Sequence, residues 1–235
     1  MHPSPSAPAP WLQAAERTAR RPSTPNGPHS DIASAAVLVI DVQNDFCHPE
    51  GTRAKSGCDT TAVTAMVPKL QQFIAACRQR QIAIIFVHTT HDKYTDSPAW
   101  IARRHPYYPV RTTGHRTCQT GTWGSEPYLI APEQDDLVVI KHRYSAFTGT
   151  DLNLLLRAHG KTALLCTGVA TDVCVESTIR DALSRDYYIT LVDDCCASYT
   201  AASHTATTGV VAAHFGRVMS SDEIVSGWTS APAEH

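Results

Sequence analysis

Several signatures are missing from this chain of 235 residues, and each absence argues against a class of protein. No apolar run approaches the roughly 20 residues that a membrane-spanning helix needs. The net charge of -2 gives no reason to expect nucleic acid or an anionic membrane as a partner. The sequence contains no Gly-x-Ser-x-Gly turn, no glycine-rich phosphate loop and no Cys-x-x-Cys pair. A nucleophilic serine elbow, a nucleotide site, a zinc site and a dithiol redox couple are therefore not indicated.

Disulfides are also not indicated, although the chain has eight cysteines. Cys77 and Cys166 lie within apolar patterns, where buried free thiols are common. Cys195 and Cys196 are adjacent, so their side chains diverge in an extended segment. The cysteine usage predicts a reduced, cytoplasmic protein with at least one functional thiol.

The two ends of the chain are predicted to lie outside the folded domain. The first thirty residues contain nearly half of the fifteen prolines, and such a segment buries little apolar surface. Arg20 and Arg21 are not followed by the apolar stretch that a twin-arginine signal requires. We expect residues 1–32 to form an extended or disordered arm, residues 33–228 one domain, and residues 229–235 a tail.

Within this domain, strand patterns alternate with helix patterns. Continuous apolar runs of strand length are typical of strands buried on both faces, and a period of 3.6 residues indicates helices. A long irregular stretch, 89–136, has the character of a lid or binding loop, and 42–60 is predicted to be a loop. The alternation predicts an α/β fold with a doubly wound, mostly parallel sheet of about six strands. The predicted strands are 35–41, 82–88, 137–141, 162–167, 188–192 and a segment near 216–220; the predicted helices are 62–81, 151–159, 172–186 and 203–215.

Three of the predicted strands lead into a chemically reactive residue. The first ends on Asp41, the third ends on Lys141, and the fourth runs through a turn to Cys174. In an open parallel sheet, ligands bind in the crevice at the carboxyl ends of the strands. An acid, an amine and a thiol delivered to that edge predict one active site.

Each of these three residues also has an ordinary structural explanation. Cys174 is predicted in the first turn of a helix, where unpaired N–H groups favour a thiolate nucleophile, but a buried structural cysteine is an equal alternative. Asp41 is either a general base for the thiol or a carboxylate that caps a helix or pairs with a lysine. Lys141 alone is better explained as a solvated lysine at a strand end. The occurrence of all three residues at the ends of parallel strands favours a catalytic role over these structural explanations.

The motifs around these residues resemble those of one enzyme superfamily. Three stretches occur in the expected order: Asp-Val-Gln-Asn-Asp-Phe at 41–46, Lys-His-Arg-Tyr-Ser-Ala-Phe at 141–147, and Gly-Val-Ala-Thr-Asp-Val-Cys-Val-Glu-Ser-Thr-Ile-Arg-Asp-Ala at 168–182. They closely resemble the isochorismatase-like cysteine hydrolases, over roughly residues 33–228. Among the members of this superfamily, the motifs most resemble those of the ureidoacrylate, N-carbamoylsarcosine and biuret amidohydrolases.

This resemblance implies a fold, a site and a reaction. It implies a three-layer α/β/α architecture, a catalytic triad of Asp41, Lys141 and Cys174, and a cis peptide between Val169 and Ala170. The backbone N–H groups of Ala170 and Cys174 would form the oxyanion hole. The implied activity is hydrolysis of a C–N bond, other than a peptide bond, in a small linear amide or ureido compound through a thioester on cysteine. A homo-oligomer, a dimer or tetramer, and no cofactor are also expected.

Alternatives within and outside the enzyme class remain open. Nicotinamidases hold a metal through an Asp-x-His pair, and Asp45-Phe-Cys-His48 does not reproduce that spacing. We therefore expect no catalytic metal, and expect the scattered histidines His88, His91, His105 and His115 to be surface residues. A metal-dependent nicotinamidase is the alternative enzyme, and a catalytically silent scaffold of the same fold is the alternative outside enzymes.

Substrate contacts are expected in three places: directly after Asp41, directly after Lys141, and on the long loop and the turn that leads to Cys174. His91 and Trp100 are further candidates for closing over the ligand, although each is equally explained as an ordinary loop residue. The predicted substrate-binding residues are Asn44, Phe46, Trp123, Tyr144, Phe147, Thr148 and Thr171.

Overall fold

The computed structural model describes residues 32–102 and 117–229 of the chain. The predicted arm and tail therefore lie outside the described residues, except for Ile32 and Thr229, as do His105 and His115 on the long loop. The predictions for these segments stay predictions.

The described residues form a parallel sheet with six strands in the order β3-β2-β1-β4-β5-β6. The chain therefore builds the sheet outward from β1 in one direction and then returns to the other side of β1. This confirms the predicted doubly wound sheet. The strands are β1 (Ala35–Ile40), β2 (Ala83–Thr89), β3 (Leu137–Lys141), β4 (Ala163–Val169), β5 (Tyr188–Ala197) and β6 (Arg217–Met219).

Helices cover both faces of the sheet, which gives the three layers that the resemblance implies. None of the helices in the described ranges has the length and apolar character to cross a membrane. The helices are α1 (Asn44–Cys47), α2 (Thr52–Lys55), α3 (Thr61–Gln79), α4 (Pro98–Ala102), α5 (Leu152–Ala158), α6 (Glu176–Leu183), α7 (Ala201–His214) and α8 (Ser221–Thr229), with a π-helical turn at Thr171–Val175 and a short 3-10 turn at Trp123–Ser125.

Alternate residues of β1 enter two separate cores, because successive side chains of a strand point to opposite faces. Val37 and Val39 pack with α3 and α8 on one face of the sheet. Leu38 and Ile40 pack with α5, α6 and α7 on the other. Burial on both faces explains why this strand reads as a continuous apolar run.

The structure differs from the predicted loops, strands and helices in the following segments, among others. The predicted loop 42–60 contains α1 and α2, which are four residues each and too short to show a helical period. Strand β5 extends to Ala197, past the charged residues that end its apolar run. Helix α8, which was not predicted, begins where the carboxylate of Asp194 accepts hydrogen bonds from both the backbone N–H and the hydroxyl of Ser221, each at 2.7 Å.

All eight cysteines are free thiols, as the sequence spacing predicts. Cys77 and Cys166 are fully buried, and Cys195 and Cys196 are also buried, although the pair lies near the end of β5.

Gly168 sets the approach of β4 to β1 next to the candidate site. It has a φ of 106° and pairs in register with Ile40, the residue before Asp41. A Cβ atom at this position would collide with the backbone nitrogen, carbon and oxygen of Ile40. We expect Gly168→Ala to lower the free energy of unfolding by about 3 kcal/mol or more, because both the backbone conformation and the space are unfavourable. Urea denaturation followed by circular dichroism measures this change.

Gly160 provides the matched control for Gly168. It also has a positive φ, 64°, but a Cβ atom there would meet nothing within 4 Å. Gly160→Ala should therefore lose only about 1–2 kcal/mol, the cost of the left-handed conformation alone. Equal losses in the two variants would contradict the assigned role of the close contact with Ile40.

Candidate active site

The three predicted catalytic residues lie at the carboxyl edge of the sheet, on either side of the point where the strand order reverses. Asp41 follows β1 and Lys141 ends β3, on one side of that point. Cys174 follows β4, the neighbour of β1 on the other side. This reversal is where open α/β sheets form their ligand crevice. The sheet order thus explains why residues 133 positions apart in sequence can meet at one place.

Asp41 is held in a fixed orientation by its backbone and by one hydroxyl group. Its φ is 55°, so the chain turns sharply as it leaves β1. Its N–H donates to the carbonyl of Val87 at 2.8 Å. The hydroxyl of Thr89 donates to Asp41 Oδ1, also at 2.8 Å. The second carboxylate oxygen, Oδ2, therefore faces the site, and its side chain is only 1% exposed.

Lys141 is the centre of the site, and its ammonium group contacts both other members. Lys141 Nζ lies 2.7 Å from Asp41 Oδ2 and 3.4 Å from Cys174 Sγ. It also donates to Thr89 Oγ1 at 2.6 Å and to the carbonyl of Arg143 at 3.1 Å. The ammonium group therefore has four neighbours, Asp41, Thr89, Arg143 and Cys174, and its contact with Asp41 Oδ2 is an ion pair. That oxygen keeps acceptor capacity for a proton.

Cys174 lies in the first turn of a helical segment, as predicted, and that turn is π-helical rather than α-helical. Thr171–Val175 is a π-helical turn, and α6 begins only at Glu176. Such turns occur frequently at functional sites. The carbonyl of Cys174 accepts a hydrogen bond from Thr178 Oγ1 at 2.7 Å, and the residue is 7% exposed.

Burial raises the pKa of the Cys174 thiol and favours its protonated form, whereas its position in the sequence suggested a thiolate. Desolvation and the Asp41 carboxylate raise the pKa of the Cys174 thiol, the Lys141 ammonium lowers it, and the net result is a pKa of about 12. Burial also lowers the pKa of Lys141, but the negative charge of Asp41 and the contact with Cys174 outweigh it, so that pKa is raised. These directions favour a charged lysine, paired with Asp41, beside a protonated thiol.

Thr89 and Gln43 support the site and were missed in the sequence analysis. Gln43 Nε2 donates to the carbonyls of Thr89 at 2.9 Å and Ser125 at 2.7 Å. Gln43 Oε1 accepts from the N–H of Thr89 at 2.7 Å. One amide thereby joins the ends of β1 and β2 to the long loop. The signal for Thr89 was available, because it ends the strand that lies between those of Asp41 and Lys141.

The turn between β4 and Cys174 contains the cis peptide that the resemblance implies. This bond joins Val169 to Ala170. The carbonyl of Ala170 accepts hydrogen bonds from the N–H groups of Val173 at 3.0 Å and Val175 at 3.2 Å. The backbone on the carboxyl side of the cis bond is therefore tied to the same turn that carries the thiol.

Two of the predicted substrate contacts, Asn44 and Trp123, join the segment that follows Asp41 to the long loop. Asn44 Nδ2 donates to the carbonyl of Trp123 at 2.8 Å, so the amide is used to hold this loop. The Trp123 ring is 46% exposed and lies edge-on to His48 at 5.0 Å. Phe46 is partly buried against the core on the α3 face.

The predicted contacts that follow the lysine lie in different environments. Tyr144 is exposed, and its ring is 4.8 Å from that of Trp100. Phe147 is buried in the core on the α6 face, with its ring 5.7 Å from that of Tyr187. Thr148 is exposed beside Asp181. Their roles as substrate contacts stay predictions.

Thr171 is fully buried, and its hydroxyl is 2.9 Å from His204 Nδ1. This side chain is therefore committed to α7. Its role as a substrate contact also stays a prediction.

The histidines of the described ranges do not converge on one point. His88 lies within β2 and is buried, which corrects the expected surface position. His91 Nδ1 lies 2.8 Å from Asp96 Oδ1. Within residues 32–102 and 117–229, no group of three or more His, Cys, Asp or Glu side chains could hold a metal ion.

Comparison with known proteins agrees with this geometry. The isochorismatase domain family matches residues 35–223. A ureidoacrylate amidohydrolase, RutB, from Methylobacterium radiotolerans is 32% identical over 84% of this chain and 80% of its own length. A protein from Arabidopsis thaliana named as a probable inactive nicotinamidase is 35% identical over 74% of this chain and 85% of its own. The crystal structure of N-carbamoylsarcosine amidase from Thermoplasma acidophilum has a TM-score of 0.65 and 28% identity, covering 80% of this chain and 97% of that one.

The match covers most of the domain, including all three strand ends that carry Asp41, Lys141 and Cys174. The cis peptide that the resemblance implies is present, and the sheet is parallel, as the alternation of strands and helices predicts. The chain therefore belongs to the isochorismatase family of hydrolases.

Proposed function

We infer that the protein hydrolyses a C–N bond in a small linear amide or ureido compound, with Cys174 as nucleophile. The observation that carries this proposal is the contact of Lys141 Nζ with both Asp41 Oδ2, at 2.7 Å, and Cys174 Sγ, at 3.4 Å. A buried acid, amine and thiol in mutual contact are difficult to explain by stability alone, because removing charges from water is costly. The names of two relatives, which act on ureidoacrylate and N-carbamoylsarcosine, support the ureido class.

The first proposed step is a proton transfer that accompanies attack. Because the pKa of Cys174 is raised to about 12, the thiol needs a base when the substrate is bound. Asp41 Oδ2 takes the proton, the sulfur forms a bond to the carbonyl carbon, and the carbonyl electron pair moves to the oxygen. Lys141 stays protonated and stabilises the sulfur as its negative charge develops.

The remaining steps return every group to its starting state. The tetrahedral intermediate breaks its C–N bond, and the departing nitrogen takes the proton from Asp41, which releases ammonia or an amine. Asp41 then takes a proton from water as the water attacks the thioester. The C–S bond breaks, and the proton returns to the sulfur. Asp41 thus acts as base and then as acid in each half of the reaction.

The proposed oxyanion site consists of the backbone N–H groups of Ala170 and Cys174. Both belong to the segment that begins with the cis peptide and ends on the π-helical turn. Fixed donors of this kind stabilise a developing oxyanion, because they need no reorientation during the reaction.

Release of ammonia from a small panel of compounds tests this function. We expect the purified protein to release ammonia from ureidoacrylate or an N-carbamoyl amino acid, and to act more weakly or not at all on nicotinamide. Biuret and maleamate complete the panel, since they separate a ureido group from a simple linear amide. A coupled glutamate dehydrogenase assay measures the ammonia. Failure on every compound of the panel would contradict the proposal.

The same assay distinguishes the alternative functions. A metal-dependent nicotinamidase would act on nicotinamide, lose activity with a chelator and regain it with zinc or iron. A silent scaffold, as the name of the Arabidopsis thaliana relative suggests for that protein, would release no ammonia from any compound. Activity on a ureido compound that persists in a chelator would reject both alternatives.

A further inference from the structure

A series of three hydrogen-bonded side chains leads away from the turn that carries Cys174 and takes no part in the mechanism above. Thr171 Oγ1 is 2.9 Å from His204 Nδ1, and His204 Nε2 is 3.0 Å from Asp193 Oδ1. The three residues come from the π-helical turn, from α7 and from β5. The series therefore runs from the buried Thr171 outward to the partly exposed carboxylate of Asp193.

The carboxylate of Asp193 fixes the direction of the hydrogen bonds in a neutral His204 ring. A carboxylate only accepts, so His204 Nε2 must carry the proton that it donates. Nδ1 is then unprotonated and accepts the hydroxyl proton of Thr171. This assignment follows from the partners of the two ring nitrogens. Thr171 is fully buried, so His204 satisfies a hydroxyl group that would otherwise be costly to bury.

Thr171 is the first of the three residues that connect the proposed oxyanion donors, Ala170 and Cys174. It follows Ala170 directly, and it begins the turn that carries Cys174. A rotation of the Thr171 backbone would move the N–H of Ala170 and the thiol relative to each other. Displacements of about 1 Å in an active site can reduce rates by about 100-fold.

We propose that His204, oriented by Asp193, is a positioning residue that holds Thr171 and thereby aligns the N–H of Ala170 with Cys174. Neither His204 nor Asp193 touches the reacting atoms. The inference rests on the proposed function, because it assigns the oxyanion role to this turn. It gives the buried hydroxyl of Thr171 a role in place of substrate contact.

Two substitutions of His204 separate its two hydrogen bonds. The side-chain oxygen of Asn can replace Nδ1, so His204→Asn keeps the bond to Thr171 and loses the one to Asp193. The side-chain nitrogen of Gln can replace Nε2, so His204→Gln does the reverse. We expect kcat to fall about 10- to 100-fold in His204→Ala and His204→Gln, with KM changed less than about threefold, and to be largely restored in His204→Asn. His214→Ala, at the exposed end of the same helix, is the control and should match the wild type.

A double-mutant cycle tests whether His204 acts through Thr171. Thr171→Val should lose as much kcat as His204→Ala, Thr171→Ser should lose little, and the double variant should lose no more than either single variant. Losses that multiply in the double variant, or equal activity in His204→Asn and His204→Gln, would overturn the proposal. If His204→Ala does not fold, the comparison of Asn with Gln still decides.

The rate at which Cys174 reacts with thiol reagents can be measured without turnover, so it tests this inference separately from the proposed function. Iodoacetamide carries a carbonyl oxygen that the turn can bind, whereas dimethyl disulfide carries no oxygen. In His204→Ala and Thr171→Val we expect Cys174 to react about tenfold more slowly with iodoacetamide and at an unchanged rate with the disulfide. If the wild type releases no ammonia, the proposed function fails while these two rates still test the positioning. Equal slowing with both reagents would overturn it, because that result indicates a general loss of access.

Discussion

Cys174→Ala should abolish ammonia release, with a loss of at least about 10⁴-fold in kcat, while the protein stays folded. The thioester cannot form without sulfur, and the remaining groups can only bind the substrate and polarise its carbonyl. Cys174 is small, so its truncation should lower the free energy of unfolding by about 1–2 kcal/mol, a shift of a few degrees in the melting temperature. Steady-state kinetics and thermal denaturation measure the two effects separately.

Cys166→Ala is the matched control for this variant. Cys166 is a free thiol, is fully buried and precedes Cys174 on the same β-strand-to-turn segment, but it lies within β4 and makes no contact with Lys141. It should lose a similar amount of stability and keep the activity of the wild type. Substantial turnover in Cys174→Ala would reject the cysteine mechanism, whatever the substrate.

The fold could be predicted where burial alone determines the sequence pattern. Strand β1 is buried on both faces, so its apolar run and its end before Asp41 could be predicted from the sequence alone. Strand β5 was predicted too short, because Asp193 and Asp194 interrupt its apolar run. Both carboxylates have partners from later segments, His204 and Ser221, which the local pattern does not reveal.

The convergence of Asp41, Lys141 and Cys174 could be predicted, but the electrostatics of the three side chains could not. The alternation of strands and helices predicts a parallel sheet with Asp41, Lys141 and Cys174 at its carboxyl edge, and the observed strand order brings the three together. The state of the thiol depends on how completely the turn is buried and on the balance of Asp41 against Lys141. Position at the start of a helix suggested a thiolate, and desolvation outweighs that effect. Thr89 was overlooked because the predicted strand ended one residue early.

Asp41→Asn should lower ammonia release and, at the same time, make Cys174 more reactive. Without the carboxylate no group carries the thiol proton to the leaving nitrogen, so kcat should fall by about 10²- to 10⁴-fold. The asparagine side chain keeps the shape of the residue and tolerates its φ of 55°. The variant should therefore fold.

The sign of the change in reactivity follows from the charges around the thiol. Asp41 raises the pKa of Cys174 and Lys141 lowers it. Removal of the carboxylate leaves the ammonium beside the sulfur, so this pKa should fall and more thiolate should be present at neutral pH. Each unit of decrease gives about tenfold more thiolate, which reacts in place of the thiol. Iodoacetamide should therefore label Cys174 at pH 7 about tenfold faster in Asp41→Asn than in the wild type. Absorbance of the thiolate at alkaline pH checks the same shift.

Asp186→Asn provides the control for the change of charge. Asp186 also has a positive φ, 65°, but it is exposed and lies at the end of α6, away from the site. This variant should leave both ammonia release and the labelling of Cys174 unchanged. Slower labelling of Cys174 in Asp41→Asn would contradict the expected fall in the pKa of the thiol. Turnover near the wild-type rate in the same variant would mean that Asp41 does not accept the thiol proton. In that case the proton must pass through another group, and the assignment of Asp41 as the base would be wrong.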